Sequence, residues 1–226
     1  MPENSSYYPQ VIQRYTSYDP LSGVNEPFIA ALLRAFDEKP FCADDFSAFP
    51  VEMIVEYIKR THIFYLQKKL PEIEQSIVLL SSLYNSQHPM LAILQNFFHQ
   101  YFEELTTHIR EEETKLLPHI ELLRRSVKVS GHLSQYILAR QKYSVAGFLA
   151  DHHDTEDELR DIRHAIGLYE PPATNASLYR ILLGQLEAFE QDLRVHAHIE
   201  DQVLIPMALQ METTLNELLG KMAQSN

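Results

Sequence analysis

Cysteine is almost missing from this chain. Its 226 residues contain one, Cys42. No disulfide can therefore close within a single copy, and no thiolate cage for zinc or an iron–sulfur cluster can be built from it. A lone thiol fits a reducing compartment. Glycine is scarce at 6 residues, whereas Leu, Glu, Ala, Ile and Gln are plentiful, a balance that favours helix. Positive charge is short as well: 19 Lys and Arg stand against 31 Asp and Glu, a net charge of −12. That disfavours nucleic acid, which calls for a basic face, and an anionic membrane surface. No apolar run approaches the roughly 20 residues of a bilayer span. The opening residues MPENSSYYPQ show neither the basic nor the apolar region of a signal peptide. A cytoplasmic protein is expected, with neither nucleic acid nor membrane among its partners.

What is present is helical periodicity. Residues 1–25 read as an irregular arm, and EPFIAALLRAFDEK (26–39) as a short amphipathic helix followed by a turn-rich connection. Four long helical segments follow. The first runs from about Val51 to Leu83, with Ile54, Tyr57, Ile58, Phe64 and Leu66 as an apolar stripe. Pro71 in its middle should kink it rather than end it, because EIEQSIVLLSSL resumes the period. The second runs from after Pro89 to about Arg124. The third starts near Ser144, a suitable N-cap, and reaches Leu168. The fourth runs from about Leu178 to Leu219, where Gly220 is a natural stop. Residues 127–143, with Gly131, form the least regular connection. No alternating strand pattern is present. The expectation is an all-α four-helix bundle over residues 50–226, preceded by an arm and short helix over 1–49.

Two segments repeat one pattern. His108, Glu112 and Pro118 in THIREEETKLLP recur as His196, Glu200 and Pro206 in VHAHIEDQVLIP, offset by 88 residues throughout (196−108, 200−112, 206−118). Each copy closes in a stop-like Leu-Leu-Pro or Leu-Ile-Pro. Residues four apart on a helix share a face, so each copy can aim an imidazole and a carboxylate at one point. A single exposed pair of this kind is usually a weak polar contact worth a few tenths of a kcal/mol. Its repetition within strongly apolar frames points to metal ligation. The bundle adds DHHD (151–154) from the third helix and His62 from the first. His62, His108, His153 and His196 with Glu112 and Glu200 make four imidazoles and two carboxylates, a set that suits iron, manganese or zinc. A carboxylate can bridge two cations. Ferritin-like bundles instead use Glu-x-x-His, so this is a different design.

At these motifs, together with KKLPEIEQ in the first helix and YEPP before the fourth, the chain resembles the hemerythrin-like, HHE cation-binding family. Within it the likeness is to the repair-of-iron-centres proteins, and it covers about residues 50–210. The resemblance implies a non-haem di-iron centre held by His108, Glu112, His153, His196 and Glu200, with the two glutamates bridging. It implies a role in nitrosative or oxidative stress: iron supply or repair for iron–sulfur clusters, or reaction of the centre with NO or O₂. A non-catalytic sensor of O₂, NO or iron is the alternative, and damaged iron–sulfur proteins are the protein partners it implies. Two departures stand out. The family's first-helix ligand usually lies seven residues before the Leu of the Leu-Pro pair, which here is Ile63. Its neighbour His62 is about 100° round the helix, so either the helix is locally rotated and His62 binds, or one iron has an open position. The Cys pair that repair proteins often carry near the N-terminus is absent.

The remaining candidates read more plainly. His152 and His198 should point sideways from the site, and Glu104 could stand behind His108. Glu111 and Glu113 read as a solvated face. His88, His99, His119, His132 and His164 have no partner spacing and read as ordinary polar residues, and Tyr and Phe along the helices as core.

Overall fold

The structure, a computed structural model, describes residues 25–37, 40–84, 89–128, 132–151 and 176–224. All regular structure within them is helical. Helix α1 (Glu26–Asp37) leads through a 3₁₀ turn (Ala43–Phe46) into the first long helix, α2. Three long helices each consist of an α-helical stretch, one π-helical turn and a second α-helical stretch. They are α2 (Val51–Phe64, Tyr65–Lys69, Leu70–Tyr84), α3 (Pro89–Glu111, Glu112–Leu116, Leu117–Lys128) and α6 (Ala176–Ile199, Glu200–Leu204, Ile205–Gln224). Short helices α4 (Leu133–Ala139) and α5 (Val145–Asp151) lie between α3 and α6. The sequence reading of a third helix to Leu168 falls outside the described residues beyond Asp151. Its start agrees: the Ser144 hydroxyl accepts the Gly147 N–H at 3.1 Å, as an N-cap should.

The π turns have a shared cause. Each begins six residues before a proline and ends two before it: Pro71, Pro118 and Pro206. A proline within a helix has no N–H to donate, and its ring collides with the carbonyl four residues back. The helix relieves this by opening one turn. The residue before each proline then bonds five residues back: Leu70 to Tyr65, Leu117 to Glu112 and Ile205 to Glu200. None of the three prolines ends its helix, so the stop-like look of Leu-Leu-Pro and Leu-Ile-Pro is corrected, while the continuation past Pro71 and the helices read on to about Arg124 and Leu219 agree. Gly220 does not stop α6 either, since the helix runs to Gln224. Part of the connection read as irregular, 127–143, is α4, which packs through Leu133 and Tyr136.

Among the described residues the apolar core lies in two clusters. One joins α1, the first part of α2, the ends of α3 and α6, and α4. The other joins the later part of α2 with the earlier parts of α3 and α6. Between them, at residues 61–62, 108–112 and 196–200, the three long helices turn polar side chains inward. Helix α1 is an integral wall of the first cluster. Phe28 is fully buried and meets Phe46, Phe49 and Tyr57 edge to face at centroid distances of 5.8, 5.0 and 5.9 Å. Phe28→Ala should therefore cost about 3–5 kcal/mol in one cooperative unfolding transition by urea. A loss under about 1 kcal/mol would show that α1 merely lies on the bundle.

Candidate metal centre

The inward polar residues sit where the helices widen. Glu112 and Glu200 are the first residues of their π turns, and each one's own carbonyl closes the turn. His108 and His196 lie one α-helical turn earlier on the same faces. Glu112 is fully buried, and His62, His196 and Glu200 are nearly so. The Glu112 carboxylate faces two imidazoles at once. Its Oε2 lies 2.9 Å from His62 Nε2, and its Oε1 is in direct contact with His108 Nε2. His196 Nε2 lies 3.6 Å from Glu200 Oε2. His62, Glu112 and His196 each present a ligand atom, and these lie within 4.8 Å of one another. The His62 and His196 rings are 5.1 Å apart.

These atoms fit a cation better than they fit each other. His62 Nε2 and both Glu112 oxygens are buried, and none of the three makes a hydrogen bond of acceptable geometry. Leaving such groups unsatisfied costs about 1–3 kcal/mol each, more where one is charged. Their crowding without bonding is what a shared positive ion would relieve. Burial alone would raise the Glu112 carboxyl, but the imidazoles of His108 and His62 outweigh it and hold it well below the usual carboxylate range. Burial likewise pushes the His62 imidazole down, and Glu112 and Glu113 reverse that into a raised value.

Outer partners decide which ring nitrogen is available. The Thr61 hydroxyl gives its one hydrogen to the Ile58 carbonyl at 2.7 Å. At 2.8 Å from His196 Nδ1 it must then act as acceptor, so Nδ1 carries the proton and Nε2 the lone pair. Glu113 Oε1 does the same for His62 Nδ1 at 2.9 Å. Both Nε2 atoms are left as ligand atoms facing inward. Nearby, the Tyr65 hydroxyl donates to the fully buried Asp192 at 3.3 Å, and its ring packs edge-on to His196 at 5.5 Å.

His62, and not Ile63, faces the cluster. In an unbroken α-helix the residue seven before Leu70 would share its face. The π turn between them takes an extra residue to come round, so the inward position moves back to His62, while Ile63 is only half-buried. Sequence reasoning left rotation or an open position as alternatives, and the geometry is that of rotation. Among the described members of the set His108 is the most accessible, with a quarter of its side chain exposed. His152 and His153 lie outside the described residues, as do His88 and His164.

Other placements depart from the sequence reading. Glu113 is half-exposed, but it also holds His62. Glu104 is exposed, bonded to Gln100 rather than standing behind His108. His119 is buried and paired to Glu212 at 3.1 Å. Glu111 pairs with Lys115 on the surface, as expected. His198 points away, against Phe41 and Gln202. Thr61 could have been found by counting back from proline. Pro71 has Thr61 ten and Tyr65 six residues before it, the offsets of His108 and Glu112 from Pro118 and of His196 and Glu200 from Pro206. Helix α2 thus carries a third copy with the ligand pair replaced.

A pH dependence follows from His62. Its folded value is raised, so it stabilises the metal-free protein below its ordinary 6.5 and loses that contribution as pH rises through the folded value. Each unit of elevation is worth about 1.4 kcal/mol. Metal-free protein should melt lower at pH 8.5 than at pH 6, and His62→Gln should flatten the slope. A metal-free protein whose midpoint rises over that range would contradict this placement of His62.

Residues 67–208 match the hemerythrin HHE cation binding domain, a stretch that begins five residues after His62. The chain is similar to the iron–sulfur cluster repair protein ScdA of Staphylococcus haemolyticus, 23% identical over 151 residues, covering 67% of this chain and 64% of the relative. The S. epidermidis protein of the same name is 23% identical over 154 residues, covering 68% and 65%. The chain thus spans just under two thirds of the length of these relatives. The iron–sulfur cluster repair protein YtfE of Cronobacter sakazakii is 24% identical over 181 residues, covering 80% and 76%. Among the described residues no helix is long and apolar enough to cross a membrane. With its matched stretch taking in both His-x3-Glu segments, the chain belongs to the hemerythrin HHE cation binding domain family.

Proposed function

We propose that this protein holds two iron ions across Glu112 and Glu200 and uses them, in the cytoplasm and under nitrosative or oxidative stress, to supply or repair iron–sulfur clusters. The observation that carries the reading is Glu112. Its two oxygens face two different imidazoles from two different helices, the arrangement a bridging carboxylate needs. His62 and His196 would hold one ion, and His108 with His153 the other, Glu200 completing the bridge. The donor set holds no thiolate and suits iron, with manganese and zinc chemically acceptable. Such a pair supplies electrons and open coordination positions to a diatomic such as O₂ or NO, or an ion to an acceptor site.

The chain's own residues divide the site unevenly. On the His62 and His196 side both rings are buried and held by Glu113 and Thr61. On the other side His108 is partly exposed. An ion there stands nearer to solvent, where it can be reached by a small molecule or passed to a damaged iron–sulfur protein. The names of the relatives support cluster repair.

Iron-to-protein ratios test the assignment. Glu112→Ala and Glu200→Ala should each lose more iron than His62→Ala, because a bridge holds two ions and a terminal imidazole one. A His62 variant that loses the most would overturn that ranking. Thr61→Val leaves His196 Nδ1 without its acceptor and should weaken metal binding by about 10–100-fold, with little change in helicity. An unchanged affinity would remove Thr61 from the account. Repair itself is tested by mixing iron-loaded protein, under reducing conditions, with an iron–sulfur protein whose cluster has lost iron but kept its sulfide. Restoration of the cluster absorption beyond that given by free iron supports it. Binding of NO or O₂ without iron transfer would instead favour a sensor.

A further inference from the structure

Below the carboxylate layer lies a second buried polar group. His119 and Glu212 are on the same two helices as Glu112 and Glu200, 7 and 12 residues further on. His119 Nε2 lies 3.1 Å from Glu212 Oε1, and the Val145 N–H donates to that same oxygen at 3.4 Å. Tyr143, in the turn between α4 and α5, packs its ring edge-on to His119 at 5.0 Å. Its hydroxyl is buried, and among the described residues it makes no hydrogen bond. The Glu212 oxygen beside it is already engaged by two donors.

A buried phenol hydroxyl with no acceptor among the described residues is unusual in a packed bundle. Burial, and after it the negative charges of Glu112, Glu200 and Glu212, push its ionisation up, so the group stays protonated and can donate. The carboxylates that act on it are those of the candidate centre and of the layer beneath. The His119 ring it packs against stands seven residues, about two helical turns, beyond Glu112 on the same helix, so a donor that no described residue engages lies on the side of the bundle that leads to the carboxylate layer.

We propose that Tyr143 is a ligand-binding residue: its hydroxyl donates a hydrogen bond to a small polar or anionic molecule bound at the metal centre, with the His119–Glu212 pair holding its ring in place. This rests on the metal reading above. The ligand class is a two- or three-atom species with a lone pair on its outer atom, such as a bound diatomic or azide. The role differs from a packing role in one respect. A phenol that only fills space is replaced by Phe without effect on a bound ligand, whereas a donor is not.

Azide added to iron-loaded, oxidised protein provides the test. Iron content is measured first, then azide affinity from the visible absorption, then the azide stretching frequency in H₂O and D₂O. In the unaltered protein the frequency should shift on deuteration. Tyr143→Phe, which keeps the ring against His119, should retain its iron, bind azide about tenfold more weakly or worse, and lose the isotope shift. Equal azide affinity in the two proteins, or no isotope shift in the unaltered one, overturns the role of Tyr143 while leaving the centre intact. Loss of iron and of folding in Tyr143→Phe also overturns it, in favour of a packing role. If the unaltered protein takes up no iron, the centre itself fails and the inference falls with it.

Discussion

A carboxylate with no exposure to water has to be compensated, and in this protein Glu112 is that carboxylate. Placing an unpaired charge in a packed interior is among the largest penalties a fold can carry. Everything nearby answers to it. Two imidazoles approach its two oxygens from α2 and α3, and outer acceptors orient the rings: Glu113 for His62 and Thr61 for His196. In the metal-free state a proton on His62 offsets part of the charge. A metal ion held there would replace that proton with a larger charge, which would link binding to proton release. The two apolar clusters on either side exclude water from the layer, which strengthens every electrostatic contact within it.

Geometry is supplied by the prolines. Each of α2, α3 and α6 opens into a π turn six residues before a proline, and each opening starts at an inward-facing residue: Tyr65, Glu112 or Glu200. The three turns lie at one level of the bundle. A widened turn changes the register of a helix by one residue, which is how His62 comes to face the site while the neighbour expected from regular spacing does not. The same three openings make room for the polar layer without breaking the helices, whose apolar stripes resume on the far side. In α2 the stripe runs through Ile54, Ile58 and Tyr65 and resumes at Leu70, Ile73 and Ile77.

Much of this was legible in the sequence. The all-α class, the course of α2 past Pro71 and the inward faces of His108, Glu112, His196 and Glu200 follow from period and repeat. The departures have physical reasons. Leu-Leu-Pro and Leu-Ile-Pro look like stops, although the helical period carries past both, because sequence alone does not say whether the next turn is held by packing. Glu113 reads as part of a solvated face and His119 as an ordinary polar residue because their partners, His62 and Glu212, are 51 and 93 residues away. Tyr143 has no spacing signal, since it enters the interior from a turn. The third copy, Thr61-x3-Tyr65-x5-Pro71, was there to be counted, but only the proline survives in it as a recognisable letter. His153 lies outside the described residues.

The central claim is that Glu112 bridges two metal ions. X-ray absorption at the iron edge of iron-loaded protein addresses it most directly, because the fine structure reports neighbours of each iron. The account predicts nitrogen and oxygen donors with no sulfur, and a second iron at about 3.5–4 Å that disappears in Glu112→Ala. A spectrum with no iron neighbour in the unaltered protein, or a sulfur shell, would contradict it.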